Sequence, residues 1–142
     1  MPEFFESIPS HLIPWLLEQP IFWVASAPLS KDGHVNLSPK GLKGSFRVSN
    51  PNEVWYEDLM GSGTSLSRTR LDYEYLNFNH ETTGIETVSH VRENGRITLL
   101  FCALSGPPRI IRLFGRGTGP IHTTFHISNY SLAFFSHHSE RA

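Results

Sequence analysis

Asn36, Ser38 and Lys40 are the residues whose types and spacing most plainly allow chemistry. In an extended segment successive side chains point to opposite faces, so within His34-Val35-Asn36-Leu37-Ser38 the polar residues share one face and Val35 and Leu37 the other. Lys40 follows Ser38 by two positions, so an amide, a hydroxyl and an ammonium converge where the segment ends. That donor set suits an anion. A second feature, Gly61-Ser62-Gly63, can bring backbone N–H groups close to a phosphate, above all if it leads into a helix N-terminus, although it lacks the Lys-Ser/Thr ending of a P-loop. Taken alone, both features also read as bland turns, the first with a surface lysine.

The other reactive residue types carry less. Cys102 sits inside the apolar run Ile97-Thr98-Leu99-Leu100-Phe101-Cys102-Ala103-Leu104, where a free thiol packs as a small hydrophobe. As the single cysteine it excludes an intramolecular disulfide and favours a reducing compartment. His122 and His126 have i, i+4 spacing but lack the glutamate of a zinc-protease motif, and Pro120, Thr123 and Thr124 disfavour a helix there, so no metal is expected. No Ser, His and Asp fall in an order that marks a hydrolase triad.

These residues need a scaffold. The 142 residues, 39% hydrophobic and 12% aromatic, are enough for one core, so a single domain is expected. A formal net charge of -1 gives no bulk reason to expect nucleic acid or a membrane surface as partner. The N-terminal Met1-Pro2-Glu3-Phe4-Phe5-Glu6 is acidic where a secretory signal is basic, and no apolar stretch reaches the roughly 20 residues of a membrane span. A soluble, cytoplasmic protein is the expectation.

Along the chain, Ser10 is placed to cap a short helix with Leu12, Ile13, Leu16 and Leu17 on one side, stopped at Pro20. Ile21 to Ser26 reads as a strand, Lys31-Asp32-Gly33 as a turn, and His34 to Ser38 as the returning strand. Glu53 to Asp58 is a third strand. Thr83 and Glu86 have capping-box spacing ahead of a helix carrying Ile85, Val88 and Val91 that ends at Asn94-Gly95. Strands follow over Arg96 to Leu104 and Arg109 to Gly115, and the first is apolar on both faces beyond Thr98, so neither should meet water. Strand-rich order with hairpin turns predicts a mainly β, α+β antiparallel barrel with short helices.

The segments Gly33-His34-Val35-Asn36-Leu37-Ser38-Pro39-Lys40-Gly41, Val54-Trp55-Tyr56-Glu57-Asp58 with Gly61-Ser62-Gly63, and Gly95 to Leu99 through Pro107 to Gly117 resemble a microbial and fungal branch of the pyridoxamine 5'-phosphate oxidase-like proteins. The resemblance covers residues 1 to 63 and 85 to 118. It implies a split β-barrel that binds FMN at a homodimer interface, with Asn36, Ser38, Lys40, Tyr56, Gly61, Ser62 and Gly63 as cofactor contacts and Arg112 near the interface. FMN needs an anion site, hydrogen-bond donors and an apolar slot, which those residue types can furnish. The implied function is an FMN-dependent oxidoreductase acting on a small redox substrate that the sequence does not name. Its alternatives are a flavin- or haem-binding module without turnover, or a disrupted relative from a mispredicted gene model.

Two stretches depart from the family pattern. Residues 64–84 separate the Gly-Ser-Gly loop from its helix and read as an insertion, such as translated intron. Residues 119–142 read as a divergent tail, so the barrel is expected to be incomplete at its C-terminus, with an exposed edge.

Overall fold

The structure, a computed structural model, describes residues 3–57, 86–118 and 124–136. Gly61, Ser62, Gly63, the 64–84 stretch with its Thr83, Ile85 and His122 lie outside the described residues. Within them are strands β1 (Glu3–Phe5), β2 (Phe22–Ser26), β3 (Asn36–Lys40), β4 (Phe46–Asn50), β5 (Glu53–Glu57), β6 (Arg96–Cys102), β7 (Arg109–Thr118) and β8 (Thr124–Ser136), and helices α1 (Ile13–Glu18) and α2 (Glu86–Asn94). The strands form one antiparallel sheet in the order β3-β2-β6-β7-β8-β5-β4, with β1 paired to β8.

Alternation builds the interior. Phe22 and Val24 of β2, Ile97, Leu99 and Phe101 of β6, and Ile111 and Leu113 of β7 all point inward and are buried. The two ends of the sheet, β3-β2 and β5-β4, meet through side chains: Phe22 lies 5.5 Å from Phe46 and meets Tyr56 edge-on at 5.6 Å, and Phe101 of β6 packs against both Phe22 at 5.2 Å and Phe46 at 4.9 Å. Each such ring pair adds about 0.5–1.5 kcal/mol beyond the area it buries. Rings contributed from both ends of the sheet thus curl it around a common core, and the expected antiparallel barrel is what the chain forms.

Local sequence explains the helices. A short 3-10 turn over Ser10–Leu12 runs into α1, and Leu12 and Leu16, four apart, bury one stripe beside Ile8. Ser10 does not cap: the N-cap position is Pro9, which makes no side-chain cap bond, and Leu17 faces outward. On α2, Val91 is buried and Val88 packs against the core. Gly95 ends the helix at φ 72°, its N–H donating to the Val91 carbonyl at 2.8 Å, a left-handed cap that favours glycine.

Three expectations need correction. The strand β4 has no clear sequence signal, because Phe46-Arg47-Val48-Ser49-Asn50 is short and mixed and lies among turn residues. β3 runs through Pro39 rather than stopping before it, which a strand at the end of a sheet tolerates. The barrel is also not left incomplete at its C-terminus: β8, drawn from the stretch read as a divergent tail, pairs with β7, β5 and β1 and joins the two halves of the sheet. No helix among the described residues is long and apolar enough to cross a membrane.

Candidate functional site

The register between β2 and β3 places the candidate residues. Ser26 pairs with Asn36, Val24 with Ser38 and Phe22 with Lys40, so all three polar β3 side chains share the inner face of the buried β2 residues. Leu37 and Pro39 take the outer face, and Leu37 is 61% exposed; Val35, just ahead of the strand, is 72% exposed. The usual sorting is inverted. A one-residue slip would exchange the two faces and bring Leu37 inward, gaining about 1.5–3 kcal/mol of burial. The observed register forgoes that gain and keeps amide, hydroxyl and ammonium facing in.

Each side chain has a distinct situation. Asn36 Nδ2 donates to Thr87 Oγ1 of α2 at 2.8 Å, which anchors β3 to the first turn of that helix. Ser38 Oγ is buried and has no hydrogen-bond partner among the described residues. A hydroxyl desolvated without a partner costs on the order of 1–3 kcal/mol, so it marks a place where a partner belongs. Lys40 is half-buried at the end of the strand.

Tyr56 lies elsewhere. It is 0% exposed, its ring edge against Phe22, and it belongs to the aromatic core rather than to the surface of β5. Gly61, Ser62 and Gly63 follow β5 but lie outside the described residues. Arg112 stands on the outer face of β7, half-buried, with Leu100 as its cross-strand partner.

Sequence reasoning missed several polar groups here. Ser45 Oγ is a second buried hydroxyl without a partner among the described residues, and the Ser45 carbonyl accepts the Glu57 N–H at 2.9 Å, at the end of β5. Ser26 Oγ lies 3.0 Å from His90 Nδ1 of α2. Thr87 and His90 meet β3 and β2 across more than fifty residues of chain, and no local pattern signals such a meeting. Among the described residues no group of three His, Cys, Asp or Glu is placed to hold a metal ion.

Comparison with known proteins supplies the class. No family model matches the chain. A pyridoxamine 5'-phosphate oxidase family protein of Aspergillus flavus, ustO, is 42% identical over 119 residues, 83% of this chain and 39% of that protein. The chain therefore spans well under half the length of this relative. A FAD-binding protein from Mycobacterium smegmatis has a similar fold, with a TM-score of 0.50 and 10% identity over 92% of this chain and 97% of that one. A FAD-binding protein from Mesorhizobium loti reaches a TM-score of 0.48 at 11% identity, covering 96% and 99%. The fold is that of a split β-barrel, and the sequence is similar to that of a pyridoxamine 5'-phosphate oxidase family protein. Over 83% of its own length this chain is similar to the fungal family member.

Proposed function

We propose that this chain is the FMN-binding barrel of a cytoplasmic flavin-dependent oxidoreductase that works as a homodimer on a small redox substrate. The observation that carries the reading is Ser38 Oγ, buried and without a partner among the described residues, between Asn36 and Lys40 on the inner face of β3. A flavin fits such a set: the Lys40 ammonium would neutralise its phosphate, and Ser38 Oγ and the second N–H of Asn36 would donate to its polar atoms. Thr87 already fixes the Asn36 side chain, so little ordering remains to be done on binding. Gly61, Ser62 and Gly63 would add backbone N–H groups, and Tyr56 would support the wall from within the core. Bound flavin supplies the redox chemistry, accepting a hydride and passing electrons onward.

The dimer reading rests on the opposite face of the same strands. There Leu37 and Pro39 are exposed beside half-buried Trp23 and Leu100, an apolar patch of the kind that a second copy covers. The substrate contacts would fall to the whole protein, since the fungal relative is more than twice as long as the matched span.

The test is the visible spectrum of purified, folded chain after incubation with FMN, FAD or haemin and removal of free ligand. Retained FMN with its oxidised flavin bands, bleached by an electron donor, supports the reading. Retained flavin that no donor bleaches makes the chain a binding module. Folded protein that keeps no flavin refutes the proposal.

A further inference from the structure

Beyond the flavin reading, the outer face of the sheet holds a groove of about 490 Å³ at the C-terminal end of α2, lined by apolar Ala25, Val35 and Phe114 and by Arg96 and Arg116. That volume lies in the range of small-molecule sites. Arg96 and Arg116 are direct cross-strand partners on β6 and β7, an arrangement in which like charges repel. Neither forms an ion pair among the described residues.

Both guanidiniums are tied to fixed backbone. Arg96 donates from Nε to Asn94 Oδ1 at 3.3 Å and from Nη2 to the Pro28 carbonyl at 3.2 Å. Arg116 Nη2 reaches the Asn94 carbonyl at 3.5 Å, and its guanidinium lies over Gly95, where an added Cβ would stand 3.4 Å from it. Asn94 also donates to the Ala27 carbonyl at 2.9 Å, tying this corner to the end of β2.

A structural role accounts for part of this charge. The C-terminus of a helix carries the equivalent of about −0.5 charge, which one guanidinium more than offsets. Glu93 is the neighbouring carboxylate, and its Oε2 accepts the Leu29 N–H at 2.9 Å and Asn94 Nδ2 at 3.4 Å, and it pairs with neither arginine. Positive charge therefore remains on donors that face an apolar groove.

We propose that this groove binds a small organic carboxylate with an apolar or aromatic body. The carboxylate sits on the Arg96 and Arg116 donors, which match its geometry, and the body lies against Val35 and Phe114. The two arginines stand apart from the proposed flavin contacts, although Ser26 and Val35 of the groove adjoin Asn36. Those contacts lie on the inner face of β3, near Thr87 in the first turn of α2, and the nine-residue helix carries the chain about 12 Å to the groove end.

Calorimetric titration of the purified chain with phenylacetate, and with neutral phenylacetamide as control, tests the proposal. Saturable phenylacetate binding is expected, with phenylacetamide at least about tenfold weaker, and Arg96→Gln or Arg116→Gln should weaken phenylacetate about tenfold. The preference for FMN over riboflavin, which lacks the phosphate, should not change in either variant. Val35→Glu, at a site too exposed to threaten folding, should abolish phenylacetate binding and serves if an arginine variant fails to fold. No saturable binding, or binding that none of these changes alters, overturns the proposal. So does a loss of FMN but not riboflavin affinity in the arginine variants, which would assign the guanidiniums to the flavin phosphate. Since phenylacetate is titrated without flavin, failure of the flavin reading leaves this result independent.

Discussion

Replacing Ser38 by alanine separates a binding residue from a structural one. In the chain without ligand, Ser38 Oγ is desolvated and makes no hydrogen bond among the described residues, so its removal deletes a buried polar atom and breaks nothing. The penalty relieved is about 1–3 kcal/mol, less the small void left by one oxygen, so ligand-free Ser38→Ala should be as stable as the parent or more stable by up to about 2 kcal/mol. With FMN bound the sign reverses. A hydrogen bond from Oγ to a neutral flavin atom contributes about 1 kcal/mol, and one to the phosphate about 1.5–3 kcal/mol, so FMN affinity should fall about 5-fold in the first case and at least about 10-fold in the second. Urea unfolding of the ligand-free protein and fluorescence titration with FMN and riboflavin read both halves. A phosphate contact would lower the affinity for FMN and leave that for riboflavin unchanged. The reasoning is refuted if Ser38→Ala destabilises the ligand-free chain by more than about 1 kcal/mol while FMN affinity stays constant, since the hydroxyl would then have a structural partner.

Other substitutions probe the scaffold. Gly95→Ala forces a side chain into φ 72°, and a loss of about 1–2 kcal/mol is expected in urea unfolding, with the α2 end fraying first in hydrogen exchange. Phe101→Ala removes a 0%-exposed ring that Phe22 and Phe46 both touch, and should cost about 3–5 kcal/mol, whereas Leu42→Ala, 59% exposed, should stay within about 0.5 kcal/mol. Asn94→Ala loses the bonds to the Ala27 carbonyl and from the Arg96 N–H, about 1 kcal/mol each, and should lower the thermal midpoint while weakening phenylacetate binding through the Arg96 guanidinium, whose Nε loses its acceptor.

The sequence by itself determined much of the local order. Alternation in Phe22-Trp23-Val24-Ala25-Ser26 and in Ile97 to Phe101, and the Asn94-Gly95 stop, are period and capping signals carried within a few residues, and the strands and the end of α2 fall where those signals lie. That Asn36, Ser38 and Lys40 share a face was legible in the same way. Which face turns inward was not, because binary pattern alone would bury Val35 and Leu37; pairing with β2 decided it. Tyr56 reads by resemblance as a flavin-lining residue and by type as a core or interface aromatic, and packing against Phe22 places it in the core. The tail gave little sign of β8, whose place between β7 and β5 depends on backbone hydrogen bonds to strands distant in sequence. The Asn36–Thr87 and Ser26–His90 meetings and the Arg96–Arg116 corner likewise arise only when the sheet and α2 come together, since long-range pairing leaves no local pattern in the residues that take part.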